Sequence, residues 1–146
     1  MKVAIGADHA GFEIKEKIKS FLVKEGHEVI DLGTNSAESV DYPDFADKVA
    51  KSVASGKAKF GALFCGTGIG MSMAANKIKG VRAAVCHNEY VAEMSRKHND
   101  ANVFCAGARV LGGEAIEKLL KLWLATQFEG GRHEGRVSKI NNLDSK

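Results

Sequence analysis

The chain has 146 residues, 45% of them hydrophobic and 27% charged, with a single proline; that is one domain's worth of chain with a real core, and it excludes a second catalytic domain, disorder and low complexity. Lys and Arg (21) barely exceed Asp and Glu (18) and are interspersed, and no apolar run approaches the ~20 residues that span a bilayer, so neither nucleic acid nor membrane is an expected partner. Three widely spaced cysteines, Cys65, Cys86 and Cys105, and a first apolar run no longer than Val3 to Ile5 predict a reducing, cytoplasmic compartment.

The segment Lys2 to Gly6 is short, apolar and glycine-ended, which predicts a strand. Ile14, Ile18, Phe21 and Leu22 then recur at helical spacing until Gly26. A second strand is expected over Glu28 to Leu32, followed by a helix opened by Pro43 with Phe45, Val49 and Val53 on one face. Phe60 to Phe64 predicts a third strand, followed by a glycine-rich loop and a helix through Ala75. Next come a strand at Arg82 to Val85, a helix carrying Val91 and Met94, and a strand at Asn102 to Cys105. Ile116, Leu119, Leu120, Trp123 and Leu124 mark another amphipathic helix, and a last one is expected over Arg132 to Leu143. Strands that alternate with helices imply a parallel sheet covered on both faces: a single-domain, three-layer α/β/α sandwich with five strands, Rossmann-like in outline. Ligands in such folds sit beyond the carboxyl ends of the strands, which directs attention to Asp8 and His9, to Cys65 onward, and to Gly107 to Arg109.

The densest signal is Cys65-Gly66-Thr67-Gly68-Ile69-Gly70, where a strand ends in a thiol and alternating glycines lead into a helix. Glycines let backbone amides turn toward an anion, and a helix start adds positive potential that favours a thiolate, so Cys65 is a candidate base or nucleophile. A tight structural turn with a core cysteine would look the same locally. The pattern is not a P-loop, which needs Lys and Ser or Thr after the last glycine, nor a cysteine-phosphatase loop, whose arginine would fall at Met71. No Cys-x-x-Cys occurs and the histidines and cysteines lack paired ligand spacing, so neither dithiol redox chemistry nor a structural zinc is indicated.

Arg132 and Arg136, four apart on one helix face, could clamp a phosphate together, with Arg109 as a third donor among only five arginines. His98-Asn99-Asp100 poses a geometric problem. It precedes the fifth strand and so belongs near the amino edge of the sheet, away from Cys65; a catalytic His98 would be supplied across a two-fold interface to a partner's site. His27, His87 and His133 read as capping or solvated residues.

The segments Gly6-Ala-Asp-His-Ala-Gly-Phe12, Asp41-Tyr-Pro-Asp44, Cys65-Gly-Thr-Gly-Ile-Gly70, Ala74-Ala-Asn-Lys77, Arg96-Lys-His-Asn-Asp100 and Glu129-Gly-Gly-Arg-His133 span the chain from end to end. In this order they resemble the type B ribose-5-phosphate isomerases, a family shared with allose-6-phosphate and galactose-6-phosphate isomerases. The resemblance implies one sugar-phosphate isomerase domain over residues 1–146, whose last helix, about 132–143, carries phosphate-binding arginines. It implies interconversion of ribose 5-phosphate and ribulose 5-phosphate, a step of the pentose phosphate pathway, without a cofactor. Cys65 would take the proton from carbon 2, and His98, with Thr67, would open the ring. Asp8 and Tyr42 would contact sugar hydroxyls, while Asn99 and the amides of Gly66, Gly68, Ile69 and Gly70 would hold the enediolate. His9, Arg109, Arg132 and Arg136 would bind the phosphate. The family resemblance further implies homodimers with composite sites and leaves tetramers open. One branch replaces the cysteine by a glutamate after the glycines; that position here is Met71, which places the chain in the cysteine branch. A hexose phosphate substrate, or a non-catalytic phosphosugar-binding module using the same crevice, are the alternatives left open.

Overall fold

A computed structural model describes residues 1–145. The strands are β1 (Lys2–Ala7), β2 (Glu28–Asp31), β3 (Phe60–Cys65), β4 (Ala83–Val85) and β5 (Val103–Gly107). The helices are α1 (Phe12–Lys24), α2 (Tyr42–Ala54), α3 (Ile69–Ala75), α4 (Glu89–Lys97), α5 (Gly113–Ala125) and α6 (Arg132–Asn142), the last running into a 3-10 turn at Leu143–Ser145. Each expected element is present in its expected place. The largest shift is in β5, which runs on to Gly107 because Cys65 at the end of β3 pairs in register with Gly107.

All four strand pairings are parallel, in the order β2-β1-β3-β5-β4. The three central strands are buried almost throughout, and this accounts for their unbroken apolar character: a strand covered on both faces has no polar side. The edge strands β2 and β4 are only partly buried.

Alternation along the strands divides the interior into two cores. Val3, Ile5 and Ala7 of β1 point with Phe60, Phe64 and Phe104 toward Ile18 and Leu22 of α1 and Ile116, Leu120 and Trp123 of α5. Ala4, Leu63, Cys65, Val103 and Cys105 point the other way, toward Val49 and Ala50 of α2 and Met71 and Ala75 of α3. Two helical layers thus enclose the sheet, as the patterning requires. The period of two also decides which face Cys65 serves: the side of α2 and α3.

From β1 the chain winds outward to β2, then crosses to build β3, β5 and β4 on the other side. The winding reverses between β1 and β3, so their carboxyl ends flank the crevice that such sheets offer to ligands. No helix among the described residues is long and apolar enough to cross a membrane.

Candidate active site

At that reversal lies an open cavity of about 440 Å³ lined by Asp8, Tyr42, Cys65, Gly66, Thr67, Ile69, Gly70 and Met73. Three chain segments converge on it: the turn just after β1 supplies Asp8, the first residue of α2 supplies Tyr42, and the stretch from the end of β3 into α3 supplies the rest. Met73 escaped the sequence reading, since nothing in the heptapeptide Ile69–Ala75 distinguishes the cavity-lining methionine from Met71. The structure separates them: Met71 is fully buried in the core below, whereas Met73 is exposed at the rim.

The loop geometry follows from its glycines. Gly68 has φ +82° and packs against the Ala106 backbone, a conformation and a closeness that a side chain would oppose. This turn directs the Gly68 amide at Cys65, donating to Sγ at 3.1 Å, the interaction an anionic sulfur accepts. The Ile69 amide donates to Thr67 Oγ1 at 3.2 Å, so two of the loop amides are already engaged within the loop. Gly70 has a different reason: a Cβ there would fall 2.5 Å from the Tyr42 ring, and its absence lets the phenol lie over the loop.

Asp8 is buried, and its Oδ1 accepts from the amides of Ala10 (2.9 Å) and Gly11 (3.1 Å), which fixes the carboxylate at the cavity wall. His9 stands beside it, half-buried, with Nδ1 accepting from the Val40 amide at 3.2 Å. In the neutral ring the proton then sits on Nε2, leaving a donor free. Arg109 reaches back over the loop: its amide donates to the Gly66 carbonyl at 3.1 Å, and its guanidinium borders Gly66.

The remaining sequence candidates are elsewhere. His98 caps the end of α4, and the turn after it leads to Asn102, whose carbonyl accepts from Gly61 near the amino end of β3. Cys65 lies four residues further along that strand, about 13 Å at the usual rise. His98 and Asn99 therefore flank the opposite edge of the sheet, where they line a separate cavity of about 270 Å³. The turn is rigidly held. Arg96, buried, donates to Asp100 Oδ1 (3.0 Å) and to the carbonyls of Ala101 and Thr126, and Arg82 bonds the Asp100 carbonyl and Asn141 of α6. Asp100 takes the left-handed conformation (φ 48°) that this clamp requires.

Arg132 and Arg136, both exposed, accompany His98 on this second face. One reading is corrected here. His133 is not a solvated residue: it is buried and stacks on His98, ring centroids 4.2 Å apart and 14° from parallel. Its environment, through desolvation first and then the charges of His98 and Arg132, holds it below the usual histidine range. Periodicity could not show this, because the partner ring comes from another helix. With Glu129, these two histidines are the one group among the described residues close enough together to hold a metal ion.

Residues 3–140 match the family model for ribose/galactose isomerases. The chain belongs to the ribose/galactose isomerase family. Within that family it is 49% identical to ribose-5-phosphate isomerase B of Escherichia coli over 99% of this chain and 97% of the relative. It is 43% identical to the D-erythrulose-4-phosphate isomerase of Pectobacterium atrosepticum over 96% and 93% of the two chains. The ribose-5-phosphate isomerase B structure from Clostridium thermocellum superimposes with a TM-score of 0.98 at 52% identity, covering 99% of this chain and 98% of that one.

Proposed function

We propose that this member of the ribose/galactose isomerase family interconverts D-ribose 5-phosphate and D-ribulose 5-phosphate through an enediolate, with Cys65 as the base. The observation that carries the reading is the cavity at the β1/β3 reversal, where a sulfur bonded by a loop amide faces a carboxylate and a phenol. Once the sugar ring has opened, the Cys65 thiolate takes the proton from carbon 2 and the electron pair moves to the carbonyl, giving the enediolate. A proton passes between the two oxygens, and the thiol returns its proton to carbon 1. Carbon 1 is thereby reduced and carbon 2 oxidised, so no external redox partner enters. A positioned base contributes ~10²–10⁴-fold and an oxyanion donor ~10²–10³-fold, a sufficient rate for an isomerase of this kind.

Asp8 and Tyr42 engage the sugar hydroxyls; Gly66, Gly68, Ile69, Gly70 and Asn99 stabilise the enediolate. His98 opens the ring with Thr67, and His9, Arg109, Arg132 and Arg136 hold the phosphate, whose binding energy positions the reacting carbons from a distance. Because His98, Asn99, Arg132 and Arg136 lie on the sheet edge opposite Cys65, a second copy of the chain supplies them, and the working unit is a homodimer with two composite sites. Ile69 and Met73 at the cavity rim, and Tyr90 beside His98, are exposed apolar residues of the kind such an interface covers. The enzyme acts in the cytoplasm, where its free thiols stay reduced.

The test is turnover of ribose 5-phosphate in the presence of a chelator. Cys65→Ala is expected to lose at least about 10²-fold in kcat; turnover surviving the substitution would remove the sulfur from the mechanism. The tetrose phosphate named for the Pectobacterium relative makes substrate length a live second reading, and a comparison of kcat/KM across tetrose, pentose and hexose phosphates decides it.

A further inference from the structure

The ring nitrogens of His98 and His133 and a carboxylate oxygen of Glu129 all lie within 4.8 Å of one another. The three come from the end of α4, the start of α6 and the loop before α6. Their proximity is built into the backbone: the Glu129 amide donates to the Lys97 carbonyl at 3.1 Å, tying the acidic residue to the helix end that carries His98. We propose that His98, Glu129 and His133 form a reversible binding site for a divalent ion of the zinc class, and that the bound ion inhibits the enzyme by occupying His98. The second half of the proposal rests on the role assigned to His98 above; the first does not.

Two imidazoles and one carboxylate form a donor set suited to zinc, cobalt or nickel, and three protein ligands leave one tetrahedral position open. Ligand bonds of about 2.0–2.2 Å require the donor atoms to close from their present spread to roughly 3.4 Å apart. The needed motion is in side chains. Glu129 is exposed and His98 half-exposed, so both can swing out of their present positions, while the buried His133 ring serves as the anchor. His133 Nε2 has only a 3.5 Å approach from Arg132 Nε to give up, which is at the outer limit for a hydrogen bond. The Arg132 charge opposes a dication, and so the site is a weak, exchangeable one in contrast to a permanent centre; the same charge favours an anion on the open position.

Metal-free protein, as the full-length assembly, is titrated with Zn²⁺ by calorimetry and with Co²⁺ by visible absorption. The expected result is one ion per chain, with cobalt bands of a nitrogen–oxygen site and no thiolate-to-cobalt charge-transfer absorption. Binding should persist in Cys65→Ala and weaken by at least about tenfold in Glu129→Gln and in His133→Ala. In the isomerase assay, Zn²⁺ should inhibit the wild type and a chelator restore it, while Glu129→Gln keeps its metal-free activity and needs about tenfold more Zn²⁺ for the same inhibition. No binding, or binding that is lost in Cys65→Ala and unchanged in Glu129→Gln, overturns the site. Binding at the cluster without inhibition overturns its effect on His98. Protein that is inactive even without metal would instead refute the isomerase assignment, and the titrations would still decide the metal site.

Discussion

At the scale of single residues, Gly70 and Tyr42 show how a site is made from an absence. The phenol lies where a Cβ on residue 70 would be, 2.5 Å from its ring, and both line the cavity with Cys65. Gly70→Ala must displace the ring or the loop, and an overpacked contact of this kind costs about 1–3 kcal/mol. Tyr42 is itself partly exposed, which gives the ring room to move away. The expected outcome is a modest loss of thermal stability together with a larger fall in kcat/KM, read by unfolding and steady-state kinetics on the same preparation. Unchanged kinetics would mean that the Tyr42 ring position is irrelevant to turnover. The alternating glycines were legible as a loop that could present amides; that one of them exists for Tyr42 was not, because residue 42 lies on a different helix.

At the scale of elements, α1 is attached to the edge strand β2 through a buried charge. Lys15, fully buried on the face that also carries Ile18 and Leu22, donates to both Asp31 oxygens at 2.8 Å, and Lys19 adds a third bond at 3.2 Å. Asp31 also accepts from the Gly33 amide, and Gly33 and Thr34 in turn bond Ala7, the residue before Asp8. The clamp therefore steadies the strand end from which the site begins. Burial works against the Asp31 carboxylate, but the hydrogen bonds from Lys15, Gly33 and Lys19 and the Lys15 charge outweigh it and hold the carboxyl below its ordinary value. A group depressed in this way contributes stability above its unfolded-state value near 3.8, and that contribution disappears as pH falls through the lower folded-state value. Asp31→Ala, which leaves the buried Lys15 ammonium with only the half-exposed Glu16 carboxylate (2.9 Å) as a side-chain partner, should cost about 2–4 kcal/mol at neutral pH. Urea unfolding of the two proteins should show the gap closing as the pH is lowered past about 4. A gap independent of pH would mean that packing, and not charge, carries the loss.

At the scale of the whole molecule, the proposed division of the site between residues on opposite edges of the sheet makes a prediction that a mixture of two variants tests. Cys65→Ala and His98→Ala homodimers should each be inactive. Mixed dimers contain one site with both native residues, so unfolding and refolding an equal mixture should recover about a quarter of wild-type activity. Activity that stays at the level of the separate variants would rule out sharing of the site between copies. Part of this architecture was readable in advance: the position of His98 just before a parallel strand already assigned it to the edge away from Cys65. What stacks on it was not readable, and the burial of His133 runs against the reading of that residue as solvated.

Periodicity determined the elements by itself, because apolar spacing of two or near four is a property of one segment and is printed in its own residues. The alternation of strands with helices likewise announced a sheet covered on both faces, and the glycine pattern announced the turn after Cys65. Strand order, the reversal between β1 and β3, the Lys15–Asp31 clamp and the meeting of His98, Glu129 and His133 were decided only in three dimensions. Each of these depends on which surfaces of distant segments pack together, and a linear pattern carries the shape of a segment without naming the neighbour it will meet.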